Sequence, residues 1–269
     1  MADLLVRSGA PDREHCVIRV TPESAGWRYV GFAVHRLGEG ESLRQELADR
    51  ETCIVVLSGR VDVAAADATF EDVGERARVF DDTAPHAVYV GAGTSFTVTA
   101  RGAAEVALCT APGKPGHASR RISPDEMSVE ERGSGTNRRI VRNILPETME
   151  ADSLLIAEVI TPGGNWSSYP PHKHDDDNVP QESALEETYY HRLDPPQGFA
   201  FQRVYTDDRS IDETLSVSDG DVVLVPRGYH PVGAPHGYDL YYLNVMAGPR
   251  RTWIFRNDPD HDWIAKSSS

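Results

Sequence analysis

Short strand-like runs recur along almost the whole chain, and this constrains the fold more than any other feature. In the first half they are Cys16–Val20, Tyr29–Leu37, Cys53–Leu57, Arg60–Ala64, Ala87–Val90, Phe96–Ala100 and Glu105–Thr110. They are rich in Val, Ile and aromatic residues, and glycines such as Gly38, Gly59, Gly91 and Gly102 fall between them. The second half resumes with Arg139–Leu145, Ser153–Thr161, Glu187–Leu193, Phe199–Tyr205, Glu213–Val217, Asp221–Val225, Asp239–Met246 and Arg251–Arg256. Strands at short intervals with turn signals between them predict an all-β sandwich or small barrel. Only Glu39–Arg50 reads as a short helix. From Ala111 to Arg139 the chain turns to Pro, Gly, Ser and charge, the composition of a linker or crossover. The reading is therefore an N-terminal β half over 1–115, a linker over 116–138 and a C-terminal β half over 139–269. Pro85-His86-Ala87-Val88-Tyr89-Val90 faintly echoes the later region Pro226 to His230, as a duplicated fold would.

Composition narrows the function classes. Apolar residues make up 39% of the chain and charged residues 26%, enough for a packed core. A formal net charge of −15 argues against nucleic acid or an anionic membrane as partner. The three cysteines, Cys16, Cys53 and Cys109, form no C-x-x-C pair, which points to a reducing, cytoplasmic setting. The segment M-A-D-L-L-V-R-S-G is too polar for a signal peptide, and no run of about 18 apolar residues predicts a membrane span.

One stretch carries chemistry. His172-Lys173-His174 places two imidazoles two residues apart, on one face of an extended chain. Glu187 opens an aromatic run in which Glu187, Tyr189 and His191 share a face. His230 follows a Pro-Arg-Gly turn. Three His and one Glu form a mixed N/O donor set for a first-row divalent metal. Glu182 and Glu186 compete with Glu187, and His236 competes with His230. The span Asp175 to Glu186 reads as an inserted loop, a lid over the pocket.

The second half resembles the cupin pattern: Gly164, His172, His174, Glu187 and Gly198, then Gly220, Pro226, Gly228 and His230. Longer blocks are more specific. N-W-S-S-Y-P-P-H-K-H-D, L-E-E-T-Y-Y-H-R, G-F-A-F-Q-R-V-Y-T-D-D-R, D-G-D-V-V-L-V-P-R-G-Y-H-P and Y-D-L-Y-Y-L-N-V-M-A-G are similar to the 5-deoxy-glucuronate isomerase family of inositol catabolism. In the first half, C-I-V-V-L-S-G-R, V-F-D-D-T-A-P-H-A-V-Y-V and E-V-A-L-C-T-A-P extend the resemblance to nearly the whole chain. It implies a bicupin: two tandem cupin barrels (double-stranded β-helix, or jelly roll), the first without the H-x-H pair. It implies conversion of 5-deoxy-D-glucuronate to 2-deoxy-5-keto-D-gluconate. It carries over His172, His174, Glu187 and His230 as ligands of zinc, with manganese or iron as alternatives.

Aldose–ketose isomerisation needs a proton shuttle and stabilisation of an enediolate. Strand order nominates Tyr189, His191, Tyr242 and Lys173 for the shuttle. The substrate carboxylate needs a cation. Arg203 is the first choice and Arg227 the second, with Gln202 the rival of Arg203 for the inner face of its strand. A ketol-isomerase of another uronate, an Fe- or Mn-dependent cupin dioxygenase and a non-catalytic sugar-binding cupin are the competing classes. The partner is a small anionic sugar, and the chain is expected to act as a monomer or homodimer.

Overall fold

A computed structural model describes residues 3–266. Strands dominate, as the alternating pattern predicts, and their edges fall within one or two residues of the expected ones for most runs. Two differences stand out. Glu39–Arg50 forms no helix. It holds the edge strand Ser42–Gln45, of which only Leu43 is buried, so its polar exposed face hides the period of two. Arg251–Arg256 is extended only at its end, as the short strand Arg256–Asn257.

The described residues divide into two compact units. The first runs from Ser8 to Ser128 and takes in residues 144–155. The second comprises residues 129–143 and the chain from Ile156 onward, joined by the leading strand Leu5–Val6. The division at 116–138 therefore needs correcting. That span carries the strands Arg120–Ile122 and Ser128–Arg132, and the chain crosses between units more than once. The hydrogen-bonding potential of a Pro/Gly-rich stretch was met by strand pairing, which composition does not reveal.

The N-terminal unit has a six-stranded sheet centred on Arg50–Ser58 and Ala104–Pro112, and a four-stranded sheet around Val61–Ala65 and Phe96–Ala100. The second unit repeats this plan. Glu186–Asp194 lies between Val222–Val225 and Asp239–Ala247 in a seven-stranded sheet, and Ala200–Tyr205 lies centrally in a four-stranded one. Alternation fills each interior. Ile54, Val56, Val88, Val90, Val106 and Leu108 pack together in the first unit. Tyr189, Leu193, Val223, Val225, Leu240 and Tyr242 do so in the second. Thr52 pairs with Val90 as Glu187 pairs with Val225, so Thr52 occupies the strand position that Glu187 holds in the second unit. The Pro85–Val90 echo does not survive this comparison. Ala87–Val90 is the counterpart of Val222–Val225, which precedes Pro226 rather than following it.

Residues 144–155 are held in the N-terminal unit by a buried carboxylate. Glu51 accepts hydrogen bonds from the Asp152, Ser153 and Leu154 backbone N–H groups at 2.8, 2.7 and 2.6 Å, and from the Tyr89 hydroxyl at 2.5 Å. Glu51→Gln replaces one acceptor oxygen with a donor facing donors. It should lower stability by about 3 kcal/mol in urea unfolding, and Tyr89→Phe by about 1 kcal/mol. A loss below about 0.5 kcal/mol in Glu51→Gln would show that this carboxylate does not anchor the segment.

Candidate metal centre

Register places the site. Glu186–Asp194 pairs with Asp239–Ala247 without a bulge, from Glu186 opposite Ala247 to Asp194 opposite Asp239. That fixes Glu187, Tyr189, His191 and Leu193 on the inner face, with Tyr189 and Leu193 in the core cluster. His172 and Lys173 form a short strand with Arg256–Asn257, and His174 follows. His230 comes two residues after Gly228, whose φ of +98° favours glycine. A Cβ at Gly228 would also lie 2.6 Å from the Tyr205 carbonyl oxygen.

His174, Glu187 and His230 are fully buried, and their donor atoms all lie within 4.8 Å of one another. His174 Nε2 is 3.0 Å from Glu187 Oε2, and His230 Nε2 is 3.3 Å from the same oxygen. The far ring nitrogens set the tautomers. His174 Nδ1 donates to the Leu185 carbonyl at 3.0 Å, and His230 Nδ1 donates to the Gly228 carbonyl at 2.8 Å. In a neutral ring each Nε2 then carries a lone pair aimed at the carboxylate. His230 Nε2 has no hydrogen-bond partner. Burial lowers the His230 pKa, which favours the neutral ring. A neutral imidazole lone pair facing a carboxylate oxygen repels it unless a cation lies between them, so the residues fit a divalent metal. Burial also opposes charge on His174, but the Glu187 hydrogen bond and charge outweigh it and raise its pKa.

His172 stands at the edge of this cluster. Its ring centroid is 4.8 Å from that of His230 and 4.6 Å from that of Phe255, and its ring hydrogen-bonds to the Pro170 backbone. Burial, followed by the His230 and His174 charges, pushes its pKa well down. The rivals lie elsewhere. Glu182 accepts from the Asp175 and Asp176 N–H groups, Glu186 is part-exposed, and His236 is exposed in a turn. The span Asp175 to Glu186 is stitched down. Asp175 Oδ1 accepts from Gly228 N at 2.6 Å, and Ser183 bonds to the Thr252 and Ile254 carbonyls.

The remaining sequence-nominated residues separate by strand face. The Tyr189 and Tyr242 rings lie 4.9 Å apart, inclined at 50°, and the Tyr189 hydroxyl is 2.9 Å from Ser168 Oγ. Burial, reinforced by the Glu187 charge, raises the Tyr189 pKa well above its ordinary value and keeps the phenol protonated. His191 donates from Nε2 to Gln202 Oε1 at 2.9 Å, and Gln202 donates onward to the His230 carbonyl at 3.4 Å. Gln202 is thus the inner residue of its strand. Arg203 is the outer one, bonded through two nitrogens to Asp212 and lying over the Tyr205 ring. Arg227 is exposed and donates to Ser210. Lys173 points away from both histidines to Asp207, 2.7 Å distant, because alternation along H-K-H turns it to the other face. Arg203, Arg227 and Lys173 therefore leave the site. Sequence reasoning missed two residues here. Ser168 is buried with a φ of +48°, a conformation no motif announces. Arg139 opens a strand whose next inward residue, Val141, belongs to the core cluster, but in the sequence it looks like the end of a basic linker.

The sequence matches the KduI/IolB family over residues 4–264. It is 57% identical to the 5-deoxy-glucuronate isomerase of Geobacillus kaustophilus (strain HTA426) over 267 residues, 99% of this chain and 97% of that one. It is 52% identical to the enzyme of the same name from Bacillus subtilis (strain 168) over 249 residues, 92% of each. An IolB-like protein from Salmonella typhimurium LT2 matches with a TM-score of 0.95 and 49% identity, over 98% of this chain and 100% of that one. Bacillus subtilis oxalate decarboxylase matches at TM-score 0.67 and 14% identity, over 99% and 84%. The last likeness speaks for the fold alone, and the fold is that of the cupins. Among the described residues no helix is long and apolar enough to cross a membrane.

Two outcomes follow for the centre. Protein purified with about one ion per chain should lose it in His172→Ala/His174→Ala and in Glu187→Ala, while Lys173→Met retains it; elemental analysis decides. Full metal content in Glu187→Ala would rule the centre out. Separately, burial pushes the His191 pKa down to about 4, against its Gln202 hydrogen bond. Its neutral ring is fully accommodated above the ordinary pKa of about 6.5, and that contribution is lost as pH falls toward 4. Wild type should lose about 3 kcal/mol more than His191→Gln over that interval in pH-dependent urea unfolding. Parallel curves would contradict this.

Proposed function

The chain belongs to the KduI/IolB family, and from that premise we propose that it converts 5-deoxy-D-glucuronate to 2-deoxy-5-keto-D-gluconate at the His174–Glu187–His230 centre. It is an isomerase, as its relatives are named. The observation that carries the reading is the buried His230 Nε2 lone pair facing Glu187 Oε2 beside a wall of neutral phenols. Such a centre can hold a cation next to a sugar's oxygens without offering a redox group of its own.

The reaction breaks the C2–H bond of the aldehyde form and makes a C–H bond at C1, and one proton passes from the C2 oxygen to the C1 oxygen. A divalent ion, zinc first and manganese or iron next, supplies Lewis-acid stabilisation of the negative charge that develops on those oxygens. His174, Glu187 and His230 would hold it, with His172 closing the set from the edge. Tyr189 keeps its proton, and its Oη shares a hydrogen bond with Ser168 Oγ, so the pair forms a relay that can exchange a proton with a sugar oxygen. Tyr242 packs against Tyr189 and fixes its ring. His191 is a positioning residue: it stacks on Tyr189 at 6.0 Å and 20°, and through Gln202 it braces the His230 backbone. The apolar core beside the cluster lowers the local dielectric, which strengthens charge interactions within it.

Purified protein should convert the uronate with uptake of solvent deuterium into product carbon and with no oxygen consumption. Tyr189→Phe should retain its metal and lower kcat about 100-fold with little change in KM. Conversion unaffected by complete removal of the metal would defeat the mechanism, and iron-dependent oxygen uptake would select a dioxygenase.

A further inference from the structure

The proposed reaction leaves the carboxylate end of the substrate without a partner, since Arg203 and Arg227 lie outside the centre. The inference here rests on that reading of the function. Several buried or part-buried arginines of the C-terminal unit have protein carboxylates: Arg142 pairs with Glu158, Arg192 with Asp219 and Arg132 with Glu130. Arg139 differs. Among the described residues no carboxylate lies within ion-pair distance of it, and the one acceptor it meets is the Asn137 carbonyl, 3.0 Å from Nη1. Its Nε and Nη2 groups have no acceptor among those residues.

Its place in the fold is specific. Arg139 is the first residue of Arg139–Leu145, and alternation puts it on the face of Val141, which packs in the cluster containing Tyr189 and Tyr242. It lies within electrostatic range of both phenols and of His172. The guanidinium rests against Gly133, where a Cβ would come within 2.9 Å of Nη1. Gly133 has φ +76°, so a bare, left-handed turn makes room for the fork. Burial pulls the Arg139 pKa down, the mark of a cation partly stripped of water and given no protein anion in return. A guanidinium with unused N–H groups in a fixed fork matches a carboxylate.

We propose that Arg139 is the carboxylate subsite of this centre, binding the acid end of the sugar so that its carbonyl end reaches the His174–Glu187–His230 cluster. The assignment makes the enzyme selective for sugar acids over the corresponding neutral aldoses, through an interaction made at the far end of the molecule from the bond changes.

The test compares wild type, Arg139→Gln and Arg139→Lys on 5-deoxy-D-glucuronate and on its 6-alcohol analogue. Binding of D-glucuronate is measured in parallel by calorimetry. Arg139→Gln should raise KM for the uronate and Kd for glucuronate about 10- to 100-fold, with a smaller change in kcat. Its kcat/KM on the neutral analogue, its metal content and its melting temperature should match wild type. Arg139→Lys should recover part of the lost affinity. An unchanged uronate KM, or equal losses on both sugars, would overturn the assignment. Wild type that binds glucuronate but fails to isomerise the uronate would count against the proposed reaction. The calorimetric comparison would then still decide the subsite.

Discussion

The register of one strand holds the account together. Glu186–Asp194 is pinned on both sides, with Glu187 opposite Met246 on one neighbour and opposite Val225 on the other. A slip of one residue would turn Glu187, Tyr189 and His191 out of the interior and bring Thr188 and Tyr190 in. Nine consecutive pairs with Asp239–Ala247 make that slip costly. The same register sets the order of chemistry along the strand: carboxylate, phenol, imidazole, then the apolar Leu193 that seals the cluster.

Around this strand the interior is largely apolar, and several of the polar groups in it have defined partners. The imidazoles of His174 and His230 are fixed by backbone carbonyls, and Gln202 ties His191 to the His230 backbone. His191 Nδ1 and His230 Nε2 have no hydrogen-bond partner, and the His230 lone pair points at the Glu187 carboxylate. A buried orphan of this kind is costly unless a ligand completes it. Arg139 is a second unfinished group, a cation with no carboxylate in ion-pair reach among the described residues. One incompleteness calls for a positive ion and the other for a negative group, as a metal-assisted enzyme acting on a sugar acid requires.

Much of this was legible in the sequence because the strand period of two is simple. Glu187, Tyr189 and His191 fall on one face by counting. The same count, applied to His172-Lys173-His174, excludes Lys173, which must point the other way. Gln202 and Arg203 could be recognised as alternatives but not ordered, because Phe201 and Val204 flank them and either face looks apolar. The structure orders them through Asp212, which sits on the neighbouring edge strand and draws Arg203 outward. Other features had no local signal. Ser42–Gln45 is an exposed edge strand with polar residues, and two-residue strands such as Trp166–Ser167 have no period to detect. Arg139 was hidden by its neighbour Arg138, which pairs with Glu131 at the surface, so two adjacent arginines read as one basic turn.

The central claim is that a metal ion sits between His174, Glu187 and His230, and anomalous diffraction from crystals of active, metal-replete protein tests it most directly. Data collected on either side of the bound metal's absorption edge should give a single strong peak flanked by His174 Nε2, the Glu187 carboxylate and His230 Nε2, with the His172 ring turned toward it. A peak at any other set of residues, or none in crystals of protein that remains active, would contradict it.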